Sequence, residues 1–227
     1  MMLSDNTSPD VFIATPSHSG DVCAQYSAAL LATIALLGQH GLSTKPLTLT
    51  NNAIISFARA LLAQHFLESG AEHLLFIDAD LSWDPQGALA LIRSPHDVIG
   101  GVYPAKTPDY AKVFQTRHMR ETATGNLIET DGIPGGFMRI RRRAMLKMKE
   151  AYPETRCNYK GIDLHLLFEN MILADGTPLG EDYAFCERWR RIGGKIFIYP
   201  DISFSHFGRH EWQGNMLNDC PQLKVVP

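Results

Sequence analysis

The sequence predicts an α/β fold with a single Rossmann-like, mostly parallel central sheet, helices on both faces and a small β insertion. Short apolar segments alternate with segments of helical hydrophobic spacing through the first half of the chain, and strands joined by helices form parallel sheets. The chain has 227 residues, of which 45% are hydrophobic and 20% charged. That length and composition are typical of a globular protein with one large core.

The first half of the chain alternates strands and helices in a regular order. Pro, Gly and Asn residues separate the segments, as expected of turns and helix ends. The predicted elements are a strand at Val11–Thr15 followed by a loop at Pro16–Gly20, a helix at Val22–Gly38, a strand at Leu47–Thr50, a helix capped by Asn51 and Asn52 that reaches Glu68, a strand at His73–Ile77, a helix at Pro85–Ile92 and a strand at Asp97–Tyr103.

The second half is less regular, and its segments are predicted from turn residues as much as from spacing. They are a hairpin around Thr124-Gly125-Asn126, a strand at Gly135–Ile140, a helix at Arg142–Tyr152, a strand at Leu164–Leu173, a helix from Gly180 to Arg191 and a strand at Lys195–Tyr199. We expect one domain over residues 1–227, with tails at 1–10 and 209–227.

Composition narrows the class of protein. The formal charge of −3 and the pI of about 6.3 argue against a surface that binds nucleic acid all over. Four scattered cysteines without metal-site spacing predict reduced thiols. The longest apolar stretch, Ala28–Leu37, is too short to span a bilayer. We therefore expect a soluble protein of the cytoplasm, or of the host cytoplasm if a phage encodes it.

The most informative motif is Asp78-Ala79-Asp80, which follows the apolar run His73–Ile77. Residues two apart on a strand share a face, so the two carboxylates are expected to converge beyond the strand's carboxyl end, where open α/β sheets bind ligands. Two carboxylates this close repel each other unless a cation lies between them, and carboxylate oxygens are suitable ligands for Mg²⁺ or Mn²⁺. The alternative is an ordinary exposed turn before the next helix.

Three further groups of residues could carry chemistry. Glu181 and Asp182 open a predicted helix, where they either stabilise its N-terminus or accept a proton from a bound hydroxyl. His206 follows the last strand and is either a ligand or an ordinary structural histidine. The pair Gly135-Gly136 allows the backbone to approach a ligand closely, or forms a bulge.

Together and in this order, these segments resemble the type-A glycosyltransferase fold (GT-A), including the small stand-alone members found in phages and bacteria. The matching pieces span residues 11 to 208 and are Thr15-Pro16, Phe76-Ile77-Asp78-Ala79-Asp80, Pro134-Gly135-Gly136-Phe137-Met138, Gly180-Glu181-Asp182 with Arg188 and Gly193-Gly194, and His206-Phe207-Gly208. The segment from Ala58-Arg59 through Tyr103-Pro104-Ala105-Lys106 matches the phage and bacterial members in particular.

The resemblance implies a nucleotide-diphosphate sugar donor and a divalent metal, Mn²⁺ or Mg²⁺, that bridges its phosphates. Asp80 would be the direct metal ligand and His206 would complete the protein's ligands, while Asp78 would face the ribose or a metal-bound water. The other implied donor contacts are Thr15, Pro16, Arg59, Gly135 and Gly136, with a solvated helix face as the alternative for Arg59.

The resemblance also implies a catalytic pair. Asp182 would deprotonate the acceptor hydroxyl, and Glu181 would orient it or contact the donor. An in-line attack of this kind inverts the anomeric centre, so we expect inversion, although retaining enzymes also carry an acidic residue at this helix start.

The acceptor is left open between a saccharide or other glycan precursor and a modified base in DNA. The candidate acceptor residues are Trp83, Lys106, Arg141 and Arg142; the two arginines belong to a basic run that is otherwise a solvated helix start.

Two further functions compete with that of a glycosyltransferase. A nucleotidyltransferase would need a glycine-rich basic loop after the first strand, where this chain has Ser17-His18-Ser19-Gly20-Asp21. A catalytically silent module that binds a sugar nucleotide or a glycan is the third possibility.

Overall fold

The computed structural model describes residues 8–107, 113–121 and 127–220, and it has the predicted α/β architecture. Its strands are β1 (Val11–Ser17), β2 (Thr44–Thr50), β3 (His73–Ile77), β4 (Leu81–Trp83), β5 (Val98–Gly100), β6 (Arg120–Glu121), β7 (Ile128–Thr130), β8 (Phe137–Arg141), β9 (Arg156–Tyr159), β10 (Ile162–His165), β11 (Met171–Ile172), β12 (Pro178–Leu179), β13 (Ile196–Ile198), β14 (Ser203–Phe207) and β15 (Glu211–Asn215). Its α-helices are α1 (Ala24–Gln39), α2 (Ile55–Ser69), α3 (Pro85–Arg93), α4 (Arg142–Ala151), α5 (Glu181–Arg191) and α6 (Met216–Asp219), and a 3₁₀ turn covers Pro153–Thr155.

The central sheet has eight strands within the described residues, in the order β2-β1-β3-β8-β5-β13-β7-β6. Strand β1 is parallel to β2 and β3, and β13 is parallel to β5. Strand β8 runs antiparallel between β3 and β5, and β7 is antiparallel to both β13 and β6. All strands of this sheet except β7 and β8 therefore point the same way, which confirms the mostly parallel sheet.

Helices cover both faces of this sheet, as predicted. Neighbouring residues of β1 and β3 enter two separate apolar clusters, Phe12 and Phe76 on one face and Ile13 and Ile77 on the other. Helices α2, α4 and α5 pack on the first face, and α1 and α3 pack on the second. Because both faces are covered, these strands consist almost entirely of apolar residues.

A second, three-stranded sheet corrects the prediction of a tail at 209–227. Strand β15 pairs antiparallel with β14, which pairs antiparallel with β4, and α6 follows β15 directly. Residues 211–219 are thus part of the folded protein, in a small sheet that the sequence did not predict. It places the end of β14 beside the turn that follows β3.

Two other predictions in the second half have different outcomes. The strand expected at Leu164–Leu173 is wrong, because β10 ends at His165 and the apolar residues Leu167 and Phe168 are buried in a turn segment. Phe168 stacks on Phe185 of α5 with ring centroids 4.6 Å apart. The turn predicted at 124–126 lies outside the described residues.

In the described part of the chain, no helix is long and apolar enough to cross a membrane.

Candidate active site

The acidic motif lies at the carboxyl end of β3, as predicted, but its two carboxylates have different partners. Strand β3 ends at Ile77, and a turn closed by the Leu81 N–H on the Asp78 carbonyl (3.2 Å) follows it. The alternation of a strand therefore does not extend to Asp80. Among the described residues, no group of three or more His, Cys, Asp or Glu side chains is placed to hold a metal ion by itself.

Asp78 is bound by a buried arginine. Arg59 on α2 is 2% exposed, and its guanidinium lies 3.0 Å from Asp78 Oδ1 and 3.4 Å from Glu181 Oε1. It also donates to the Gly135 carbonyl (3.2 Å). Burial acts to lower the pKa of Arg59, but the neighbouring carboxylates raise it above its ordinary value. Arg59 is thus not a solvated helix residue, and its guanidinium is paired with Asp78 Oδ1 and with Glu181.

Replacing Arg59 with Met should lower the free energy of unfolding by about 3–5 kcal/mol, because it leaves two partly buried carboxylates without their cation. Urea denaturation at neutral pH measures this loss. Arg156→Met is the matched control, since Arg156 and Asp163 form an exposed ion pair whose loss costs about 1 kcal/mol or less. An equally small loss for Arg59→Met would show that the buried pair does not stabilise the fold.

The two glycines before β8 allow these groups to pack together. A Cβ on Gly135 would lie 2.9 Å from the Arg59 guanidinium, and one on Gly136 would lie 2.5 Å from Asp78 Oδ2. The Gly136 N–H donates to the Tyr103 hydroxyl (3.2 Å). The space that the two glycines leave is filled by side chains of the protein itself, and their contact with a donor stays a prediction.

Asp182 lies in the first turn of α5 and is held by backbone donors. The N–H groups of Gly135 (3.0 Å) and Tyr183 (2.7 Å) donate to its two oxygens. Burial and the neighbouring charge of Glu181 raise the pKa of Asp182 above the ordinary 3.8. A carboxylate with a raised pKa is a stronger base, which is what proton abstraction needs.

Asp80 faces a lysine and a histidine. Lys106 Nζ forms an ion pair with Asp80 Oδ2, and His206 Nε2 lies 3.6 Å from Asp80 Oδ1. Burial acts to raise the pKa of Asp80, but hydrogen bonds from His206 and Lys106 lower it to about 2. Asp80 is therefore a permanent anion at neutral pH.

The orientation of His206 follows from its second nitrogen. His206 Nδ1 lies 2.9 Å from the Pro104 carbonyl oxygen. A carbonyl oxygen only accepts hydrogen bonds, so Nδ1 carries a proton, and Nε2 is the ring nitrogen that faces Asp80. Metal-binding histidines are commonly oriented in this way.

Three of these groups, Asp182, Lys106 and His206, line one cavity of about 310 Å³, near the lower end of the range of small-molecule sites. Lys106 and His206 are the partners of Asp80. The cavity is lined by Tyr103, Ala105, Lys106, Gln115, Pro134, Asp182, Tyr183 and His206. Residues from four separate predicted motifs or segments thus meet at one edge of the sheet.

Several predicted contacts lie elsewhere. Trp83 is 4% exposed, and its indole N–H donates to Thr33 Oγ1 (2.9 Å), so it packs in the core and is not an acceptor contact. Thr15 is 1% exposed and hydrogen-bonded to the Tyr26 hydroxyl, and Pro16 is buried as well. The side chains of Thr15 and Pro16 therefore do not line an open nucleotide pocket.

The predicted acceptor arginines are also displaced from the site. Arg141 pairs with His73 at the start of β3, whereas the acidic motif follows its end. Arg142 donates to the carbonyls of Leu67 (2.7 Å) and Ala71 (3.3 Å). Both arginines therefore lie at the opposite end of β3 from the acidic motif, which does not favour their predicted contact with an acceptor bound there.

Sequence reasoning missed five residues of the cavity wall as site residues: Tyr103, Ala105, Gln115, Pro134 and Tyr183. Tyr103 follows β5, whose carboxyl end lies at the same edge as that of β3 because both strands are antiparallel to β8. An aromatic residue just past such a strand end is a usable signal. The Tyr183 hydroxyl donates to the Gln115 carbonyl (3.1 Å), a contact that no local pattern indicates.

Comparison with known proteins shows similarity of fold. No protein-family model matches the chain, and no curated protein matches it. A crystal structure of A197 from STIV aligns with a TM-score of 0.53 and 18% identity, covering 90% of this chain and 94% of that one. At this identity the likeness shows the fold alone.

Two glycosyltransferase structures align less closely. A glycosyltransferase involved in the glycosylation of the major capsid of PBCV-1 has 12% identity and a TM-score of 0.38, covering 64% of this chain and 66% of that chain. GalNAc-T7 with UDP, GalNAc and Mn²⁺ has 11% identity and a TM-score of 0.47, covering 89% of this chain and 44% of that chain. Scores this low do not bear on the function of this chain.

Proposed function

We propose that this protein is a glycosyltransferase that moves a sugar from a nucleotide-diphosphate donor to an acceptor hydroxyl, with the help of a divalent cation. The observation that carries the proposal is the shared cavity. A carboxylate with a raised pKa, Asp182, lines the same cavity as His206 and Lys106, which contact the anion Asp80. A base and a cation-binding group on one cavity are what displacement of a diphosphate requires.

Asp80 and His206 fit a site for Mn²⁺ or Mg²⁺. The Asp80 carboxylate is ionised, and His206, whose Nδ1–H is held by the Pro104 carbonyl, turns its Nε2 toward Asp80. Such cations are often held by one or two protein groups together with substrate phosphates, so two protein ligands suffice. When bound, the cation offsets negative charge on the departing diphosphate. Asp78, which Arg59 binds, is better suited to orienting the donor than to holding the cation.

Asp182 accepts the proton in the proposed reaction. The acceptor oxygen forms a bond to the anomeric carbon and gives its proton to an Asp182 oxygen. The bond between the anomeric carbon and the diphosphate oxygen breaks, and its electron pair leaves with the diphosphate. Attack from the side opposite the leaving group inverts the anomeric centre.

A glycan hydroxyl is the acceptor class that we propose. Arg141 and Arg142, the candidate acceptor residues of the basic run, donate to backbone carbonyls at the far end of β3. The loop that a nucleotidyltransferase would use, Ser17-His18-Ser19-Gly20-Asp21, has no Lys or Arg. Neither alternative therefore has an observation at the site in its favour.

The proposal is tested by a screen of nucleotide-diphosphate sugars, with and without Mn²⁺. A donor that binds the native state raises the melting temperature by mass action. We expect stabilisation by one donor class, larger with Mn²⁺, and turnover of that donor with a panel of saccharide acceptors. Stabilisation without turnover would favour the silent binding module, and the absence of stabilisation by every donor would overturn the proposal.

A further inference from the structure

Lys106 occupies the position in which a cation at Asp80 would be expected. Its ammonium forms an ion pair with Asp80 Oδ2, and His206 Nε2 lies 3.6 Å from Asp80 Oδ1. Both oxygens of Asp80 therefore already face nitrogen atoms of the protein. The Lys106 and Asp80 side chains are 32% and 44% exposed, so the pair lies at the mouth of the cavity rather than inside the core.

The loop that carries Lys106 is anchored on both sides of it. The Pro104 carbonyl accepts the His206 Nδ1–H (2.9 Å), and the Thr107 carbonyl accepts the Trp212 Nε1–H (3.2 Å). The backbone at Lys106 is thus fixed against β14 and β15, while its long side chain has rotatable bonds that can carry the ammonium elsewhere. An anchored backbone with a movable charged end suits a group that exchanges between two anionic partners.

From this geometry we infer that Lys106 is an internal counter-ion of Asp80, which a divalent cation must displace and which then pairs with the donor's diphosphate. The inference rests on the proposed function, because it takes the cation and the diphosphate from it. Lys106 is a positioning residue in this scheme. A divalent cation and an ammonium group repel each other at a shared carboxylate, so the pair with Lys106 keeps cation affinity low until a diphosphate draws the ammonium away.

The test is the affinity of the donor-free protein for Mn²⁺ alone, measured from the electron paramagnetic resonance signal of free Mn²⁺. Lys106→Met should bind Mn²⁺ roughly five- to ten-fold more tightly than the wild type, since it loses both the competing ion pair and the repulsion. Lys106→Gln should show the same gain and serves as a second variant if the first does not fold. A cation affinity equal to or weaker than that of the wild type in both would overturn the inference.

Two controls locate the effect. Lys195→Met removes another lysine–carboxylate pair, Lys195 Nζ to Glu129 Oε2 (3.0 Å), and should leave Mn²⁺ affinity unchanged. The double variant Asp80→Asn with Lys106→Met should lose the gain, because the cation then lacks its carboxylate. A gain that persists in the double variant would show that Mn²⁺ binds elsewhere and would overturn the inference.

The inference about Lys106 and the proposed function can fail independently, because different measurements test them. Full transfer in excess chelator would refute the proposed cation requirement, whereas the Mn²⁺ titration measures only competition at Asp80. A wild type that transfers sugar with Mn²⁺ but shows no gain in either Lys106 variant would keep the proposed function and remove the counter-ion.

Discussion

Asp182→Asn is expected to lower the transfer rate by about 10²–10⁴, the range that a general base contributes, while the donor's dissociation constant changes little. The amide cannot accept the acceptor's proton, but one amide oxygen can still accept a backbone N–H as the carboxylate does. Donor affinity by calorimetry and transfer under single turnover, with the donor and acceptor that the screen identifies, measure the two quantities separately.

Glu181→Gln is the matched control for this prediction, because it changes the adjacent carboxyl in the same way. Glu181 is turned to Arg59, and a glutamine oxygen can keep that hydrogen bond, so we expect a loss of about ten-fold, at the lower end of the range for an orienting group. If the transfer rate of Glu181→Gln falls by roughly the 10²–10⁴ expected for Asp182→Asn, Glu181 is the base and Asp182 the orienting group. If donor affinity and transfer of Asp182→Asn fall together, Asp182 is a donor contact.

The pH profile of the wild type gives the same prediction a second readout. Asp182 works as a base only when ionised, so transfer should decline as the pH falls through its pKa. Burial and Glu181 raise that pKa above 3.8; the acidic limb should therefore lie above the range of an ordinary aspartate. Asp80, with a pKa of about 2, stays ionised throughout and does not contribute to this limb. A limb at 3.8 or below would contradict the assignment.

Local patterns sufficed for the elements that carry the site. The strand His73–Ile77 was predicted at its observed bounds, and the helix at 181–191 was placed correctly from its glycines and acidic first turn. Both signals are contained in a few consecutive residues. The chemistry at a strand end and at a helix start therefore appears in the sequence before any packing is known.

The other features of the site depend on packing between distant segments, which local sequence patterns do not show. Strand β8 inserts antiparallel between β3 and β5, which brings Gly136 beside Asp78 and takes Arg141 to the opposite end. No periodicity within 135–142 shows this. Arg59 was predicted to contact the donor, with a solvated helix face as the alternative, yet every residue from 58 to 63 of α2 is buried. The alanines in this segment indicate a helix that is covered on more than one side.

Asp80→Asn is expected to reduce transfer about a thousand-fold or more, because a bound divalent cation contributes several kcal/mol of charge stabilisation and the amide is a far weaker ligand. The fold should be retained, since Asp80 lies in an exposed turn where its side chain contacts Lys106 and His206. Transfer measured across a Mn²⁺ titration separates the two causes of a loss. Weakened cation binding raises the Mn²⁺ concentration needed, whereas a misfolded protein does not recover at any concentration.

The matched control is Asp84→Asn, four residues further along the same segment. Asp84 caps helix α3 by accepting the Gln86 N–H (3.0 Å), and asparagine caps helices about as well as aspartate. Asp84→Asn should therefore transfer at the wild-type rate with an unchanged Mn²⁺ requirement, although it removes the same charge from the same region. Equal losses in the two variants would indicate a general electrostatic effect, and full activity of Asp80→Asn would show that the cation, if one acts, is held by other groups.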